Sequence, residues 1–291
     1  MAYRYELDPS SKKYPCPRCE MKRFVRYIDK KNNQLAPSIY GKCDRADSCK
    51  YSVYPKGDNT VYIPIYKQET KKVYNHFLPN SLIAPTLKRY ETNNFILFLK
   101  SKFSESQVQD VIEQYKIGSA NRFDGATLFW LIDINNKLRT GKIMLFTKKT
   151  GKRERKPKVK IDWVNSLLKR QNKLSNNFKL KQCLFGEHLL MQLDNCNKTI
   201  AIAESEKTAI IMSIIYPKYV WLACGSKGGI KLSLLLPIKN REIILYPDKS
   251  CFEDWKKKAI ELNTFGFNIA TSKLLEGLDL EEGADLVDLL F

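Results

Sequence analysis

The chain has 291 residues, 43% of them apolar and 11% aromatic, which is enough for packed cores and excludes a disordered polyelectrolyte. Fifty Lys and Arg against 31 Asp and Glu give a formal charge of +19, which points to a polyanionic partner, because each cation set on a phosphate releases condensed counterions. No apolar run approaches the roughly 18 residues of a membrane span, and the opening MAYRYELDPSSKK lacks the apolar stretch of a secretory signal. The chain is therefore expected in the cytoplasm with no membrane partner, its eight cysteines reduced and better suited to metal than to disulfides.

Taken in order, the sequence predicts a mixed α+β chain whose last part is α/β, in four zones: 1–58, 59–118, 119–198 and 199–291. The first holds four cysteines, many basic residues and little helical periodicity. The second runs from a strand-like TVYIPIY (60–66) into helix. In SESQVQDVIEQYKIG, Ser104 reads as an N-cap with Gln107 three residues on, and Gly118 as the C-cap. In the third, ATLFWLID, the turn NNK and GKIMLF predict a hairpin. A basic segment follows, with eight Lys or Arg among residues 148–160, and CLFGEHLL closes the zone. The last zone alternates: TIAIAE strand, SEKTAIIMSIIY helix, YVWLACG strand, GGIKLSLLLP helix, EIILYPD strand, CFEDWKKKAIELNTFG helix, FNIATSKLL strand. Continuously apolar strands separated by helices predict a parallel sheet covered on both faces.

Cys16 and Cys19 form a CxxC knuckle; Cys43 and Cys49 follow after 23 residues, with five residues between them. Two thiolate pairs are what tetrahedral Zn2+ requires, and a zone with few large aliphatics needs such a staple. Cys183, Cys196, Cys224 and Cys251 stand singly in apolar stretches and read as core residues. His76 and His188, unclustered, read as structural.

Glu204 ends the first strand of the last zone and Asp248 the third, so both belong at the carboxyl edge of the sheet, where open α/β folds bind ligands. A Glu and an Asp on neighbouring strand ends suit a shared Mg2+ or Mn2+, which would hold phosphate oxygens. Lys207, at a helix N-terminus, and the turn GSKGG with Lys227 are further phosphate contacts. The basic segment offers Lys149, Arg153, Arg155, Lys158 and Lys160 as a phosphate-tracking surface, with Trp163 and Arg170 beside it for single-stranded nucleic acid. Arg18, Lys22, Arg23 and Arg26, near aromatics of the first zone, make a second contact surface.

A strand ending in Glu, a Gly-rich turn after the next strand, a third strand ending in Asp and the closing ADLVDLLF resemble the Toprim domain. With the cysteine cluster in front and GATLFWLIDINNKLRTGKIMLF, KPKVKIDW and CLFGEHLL between, the order of parts resembles bacterial-type DNA primases, and most of all the small zinc-ribbon/Toprim primase-like proteins of bacterial mobile elements. The resemblance covers most of the chain and is weakest over residues 59–118. It implies a zinc ribbon, a primase-like middle domain and a Toprim-like sheet. Glu204 falls on the Toprim glutamate, an acid/base or metal ligand, and Asp248 on the first Asp of the Asp-x-Asp metal pair. Lys158 is similar to the family's phosphate-facing cations.

Two positions depart from the pattern: Ser250 stands for the second Asp of the pair, and Thr208 for an acid four residues past the Glu. Glu206, Glu253 and Asp254 are candidates to replace them. The implied function is single-stranded DNA binding, with RNA as the alternative, and divalent-metal-dependent nucleotidyl transfer from nucleoside triphosphates. A replicative helicase or mobilisation protein would be the protein partner. The rival readings are a Toprim-fold binder that has lost its chemistry and a Toprim nuclease.

Overall fold

The computed structural model describes residues 3–55, 76–156 and 158–291; the strand expected at 60–66 lies outside the described residues. The chain divides into two compact units, Met1–Thr70 and Lys71–Phe291.

The first unit is built of short antiparallel strands: β1 (Tyr5–Leu7), β2 (Tyr14–Pro15), β3 (Lys22–Asp29), β4 (Gln34–Leu35), β5 (Gly41–Cys43) and β6 (Ser52–Val53). The long β3 organises the sheet, which runs β1-β3-β5-β6 with β2 and β4 also paired to β3. Its buried cluster comprises Phe24, Tyr51, Val53 and three cysteines. A core this small needs a cross-link to stay folded.

The second unit begins with α1 (Asn94–Lys100) and α2 (Glu105–Tyr115). Asn93, fully buried, caps α1 by accepting from the N–H groups of Phe95 and Ile96. Its amide also donates to Ser119 Oγ at 3.1 Å, and its oxygen accepts from Thr127 Oγ1 at 2.8 Å, so one side chain ties the helix to two strands. Ser104 and Gln107 form the predicted capping box on α2. The helix does not end on Gly118, however: Lys116 takes the left-handed conformation (φ 53°) directly after Tyr115. Gly118 instead opens the next strand, where Thr86 Oγ1 would lie 2.5 Å from an added Cβ.

That strand, β7 (Gly118–Ala120), begins an antiparallel meander with β8 (Ala126–Ile132), β9 (Leu138–Met144) and β10 (Ile161–Trp163), ordered β10-β9-β8-β7 and followed by α3 (Val164–Arg170). Across the predicted hairpin, Leu128 faces Ile143 and Phe129 faces Lys142. Side chains alternate between faces along a strand. Leu128, Trp130 and Ile143 therefore pack on the α3 side, whereas Phe129 and Met144 join the main core with α1 and α2.

The remaining elements are β11 (Ile200–Ala203), α4 (Glu206–Ile215), β12 (Val220–Ala223), α5 (Leu232–Leu235), β13 (Glu242–Tyr246), α6 (Phe252–Thr264) and β14 (Asn268–Thr271). All four strands are parallel, ordered β12-β11-β13-β14. From β11 the chain moves one way across the sheet to β12, then back past β11 to β13 and on to β14. Right-handed crossovers consequently put α4 on one face and α6 on the other. The direction reverses between β11 and β13, which makes their carboxyl ends the switch point. One expected helix is broken: GGIKLSLLLP gives 3-10 turns at Lys227–Gly229 and Leu236–Ile238 around the four-residue α5, and Pro237 is the second residue of the latter turn.

The meander meets the parallel sheet through charge as well as apolar packing. Lys142 Nζ lies 2.9 Å from both carboxylate oxygens of Glu206, with side chains only 5% and 2% exposed. Removing one partner of such a pair leaves the other charge buried and costs about 3–5 kcal/mol. Lys142→Met should therefore lower the unfolding free energy by about 3 kcal/mol or more, and Lys142→Met/Glu206→Gln should recover much of that loss. All four tryptophans belong to the second unit, so urea unfolding followed by their fluorescence reads it alone.

Candidate functional site

In the first unit Cys16 and Cys19 precede β3, while Cys43 ends β5 and Cys49 follows in a turn whose N–H donates to Arg45 O at 2.8 Å. That turn takes up the five residues between the second pair and returns Cys49 to the cluster. The Cys16 and Cys49 sulfurs lie 3.7 Å apart and those of Cys19 and Cys43 4.0 Å apart, and all four fall within 4.8 Å of one another. Zn–S bonds of about 2.3 Å in a tetrahedron put sulfurs roughly 3.8 Å apart, so the four residues fit zinc. The N–H of Met21 lowers the Cys19 thiol to about 7, whereas burial raises Cys43 and Cys49.

In the second unit Ala203 pairs with Tyr246, so Glu204 and Asp248 leave adjacent strands at the switch point. The loop after β13 is fixed by the chain's last segment. Lys249 N–H donates to Ala284 O at 2.8 Å and Gly283 N–H to Lys249 O at 3.2 Å, which sets Asp285 beside Asp248. Asp285 accepts from the N–H groups of Val287 and Asp288, from Thr208 Oγ1 at 2.7 Å and from Lys207 Nζ at 3.1 Å. Burial above all, with the charges of Glu204 and Asp285 acting in the same direction, raises Asp248 to about 8. Glu204 is raised by burial and partly relieved by the Lys227 N–H, Arg153 and Lys142.

The anticipated replacement acids are otherwise engaged. Glu206 holds Lys142, Asp254 pairs with Lys227 at 2.8 Å, and Glu253 is exposed on α6. Ser250 adopts φ 70° and donates its N–H to Glu276, so it turns away from the strand direction. The third carboxylate comes instead from Asp285, with Asp288 near enough to influence Asp248. Reasoning from sequence missed these two and Lys142. Both lie in the closing ADLVDLLF, which carried part of the resemblance, and their spacing is a capping box in the structure. Lys207 faces Asp285, and Lys227 brings its backbone N–H to Glu204 while its ammonium meets Asp254. Among the described residues only the four thiols form a group of three or more ligands already closed around one point.

The basic segment extends β9. Leu145 is flanked by Glu154, whose N–H donates to its carbonyl at 2.9 Å, and by Lys160, whose carbonyl accepts from its N–H at 3.1 Å. This fold-back carries Lys152 to 3.8 Å from Asp288 and Arg153 within electrostatic reach of Glu204. Lys149, Arg155 and Lys158 are exposed, Lys160 is half-buried, and none has an acidic partner among the described residues. Arg170 is held by Asp162 at 2.6 Å, while Trp163 lies near Lys142. His76 and His188 bind backbone carbonyls, of Lys179 and Gln114.

Residues 93–249, more than half the chain, match the family described as "Domain of unknown function (DUF6371)". The chain belongs to that family. Residues 3–61 match a zinc β-ribbon finger family. No curated protein matches. Among solved structures, the primase fragment of the bacteriophage T7 primase-helicase is 14% identical, over 93% of this chain and 91% of its own, with a TM-score of 0.43. The RNA polymerase domain of Mycobacterium tuberculosis primase DnaG is 12% identical over 72% and 76%, with a TM-score of 0.45. A DnaG primase catalytic domain bound to single-stranded DNA is 15% identical over 72% and 74%, also at 0.45. The zinc ribbon expected from the cysteine spacing is the one the family match over residues 3–61 returns. Among the described residues no helix is long and apolar enough to cross a membrane.

Metal analysis should find zinc bound to the four thiols, and Cys16→Ser should lose it together with the protease resistance of the first unit. Intact zinc content in that variant would contradict the assignment. Asp248 gives a pH test. Its folded value of about 8 lies above the ordinary carboxylate range, so the folded state binds the extra proton. Its contribution is present at low pH and is lost as pH rises towards that value. Without divalent ions, Asp248→Asn should gain in melting temperature over the wild type between pH 5 and 8.5 and level off beyond, as differential scanning would show.

Proposed function

We propose that this chain is a primase-like nucleic-acid protein that grips single-stranded DNA along its basic hairpin and carries out divalent-metal-dependent nucleotidyl transfer at the Glu204/Asp248 edge. The observation that supports this best is the juxtaposition of the two surfaces: the fold-back of residues 148–160 sets Lys152 and Arg153 against Asp288 and Glu204. A strand tracked by Lys149, Arg155, Lys158 and Lys160 would arrive at the carboxylates.

The donor set fits one Mg2+ or Mn2+, which when bound would neutralise Glu204 and Asp248 and fix a phosphate oxygen. The protein's own groups do the rest. Arg153 counters charge on the phosphate, and the Lys227 N–H orients Glu204. Glu204, whose carboxyl burial pushes above its ordinary value, is suited to take a proton from a nucleotide hydroxyl. Lys207 neutralises Asp285, so charge at the edge is lower than a count of carboxylates suggests.

A second reading, a binder without chemistry, is favoured by the turn at Ser250 and by the pairing of Lys207 with Asp285. One pair of assays separates the two. Lys149→Ala/Arg155→Ala/Lys158→Ala should weaken binding of a single-stranded DNA oligonucleotide at least tenfold and reduce its log–log salt slope by roughly 2, at about 0.7 per contact. Glu204→Ala should keep that binding but abolish incorporation of labelled nucleotides with Mg2+ or Mn2+. Binding without incorporation in the wild type would establish the second reading, and absence of binding would defeat both.

A further inference from the structure

The face of the meander that turns away from Lys142 carries a cleft of about 740 Å³, which the acidic edge does not use. Its floor is Leu128, Trp130 and Ile143, and Leu167 of α3 forms one wall. This floor is held in place. Trp130 Nε1 donates to Thr86 Oγ1 at 3.0 Å, and the indole lies across Gly141, where an added Cβ would come within 2.8 Å of the ring. Lys88, Arg89 and Arg122 line the mouth. Lys88 and Arg89 are exposed and have no acidic partner among the described residues. Arg122 bonds Asp162 through Nε at 2.7 Å, and Arg170 bonds the same carboxylate at 2.6 Å, so Asp162 is already neutralised. A polar annex of about 200 Å³ shares Arg89, Ser119 and Asn121 and contains Asp124.

We infer that this cleft is a second ligand site, for a nucleoside 5′-phosphate whose base lies on the apolar floor and whose phosphates meet Lys88, Arg89 and Arg122. Its volume is that of a small-ligand pocket, about 300–1,000 Å³, and an apolar bed with a few convergent polar groups is the usual make-up of one. The amides of Asn121 and Gln171 at its border supply donors and acceptors for a base edge or ribose. The acidic edge cannot share this ligand: Ile143 and Lys142 are neighbours on β9 and point to opposite faces. The inference does not rest on nucleotidyl transfer at Glu204. It assigns an accessory nucleotide site, occupied without a divalent ion.

Calorimetric titration of the full chain with ATP and with GTP, in buffer free of added divalent ions, tests it. At least one should bind saturably. Arg89→Glu should weaken that binding tenfold or more, as should Leu167→Trp, which fills the cleft, while Asp248→Asn should leave it unchanged. Arg89 is a surface residue, so an unaltered melting temperature in Arg89→Glu keeps the test sound if Leu167→Trp misfolds. Three results would overturn the proposal: no saturation at millimolar nucleotide, binding lost in Asp248→Asn but kept in Arg89→Glu, or Arg89-dependent binding of a polyglutamate peptide in place of either nucleotide. The last would make the cleft a protein-docking surface.

Discussion

Inside the second unit one ammonium and one carboxylate meet almost entirely out of water, and much of the candidate site hangs on that contact. Lys142 projects from the meander into the face that packs on the parallel sheet, where Glu206 begins α4. The same ammonium reaches the carbonyl of Gly225 at 3.3 Å, so it fixes the start of α4 and the glycine-rich turn together. Two charges removed from water attract strongly only in good geometry, and the position of the meander against the sheet is accordingly narrowly set. Everything that β9 continues into inherits this placement. The basic fold-back reaches Glu204 and Asp288 because Lys142, a few residues earlier, is already held.

A chain of charge +19 thus concentrates acid at one sheet edge, and the contrast is local. Asp248 is raised because burial and neighbouring carboxylates act in the same direction, while Lys207 is drawn towards Asp285. The surrounding cations make the edge approachable to a polyanion that bare carboxylates would repel. Thr208 fits the same arrangement. Its hydroxyl donates to Asp285, where an acid at that position would oppose it. The carboxylate absent from α4 is supplied from the far end of the chain.

What could be read in advance follows the range of each interaction. Ile200–Ala203 and Val220–Ala223 are fully buried strands, and a continuous apolar run between polar turns announces that without help from distant residues. Glu204 and Asp248 were legible because they sit at the ends of such runs, and the thiols because their spacing already makes two pairs. Asp285 was not, since its place depends on the pairing of Lys249 with Gly283 and Ala284. Lys142 was not either: a lysine between apolar residues of a strand looks solvent-facing until the partner across the core is known. GGIKLSLLLP failed for a local reason. Its apolar content suited a helix, but Pro237 forced a second, tighter turn.

Ser250 is where the edge departs from the Asp-x-Asp pattern that the resemblance implied. At φ 70° its side chain leaves the direction in which β13 was running, and Glu276 holds its N–H. An acid at this position would still have to adopt the left-handed backbone, which Asp tolerates better than most residues, so the turn alone does not explain the serine. The charge balance supplies the rest. With Lys207 on Asp285, the cluster already contains one fixed cation. On the proposed reading, an internal ammonium takes up the charge that a second ion would have carried, and Asp285 holds it there.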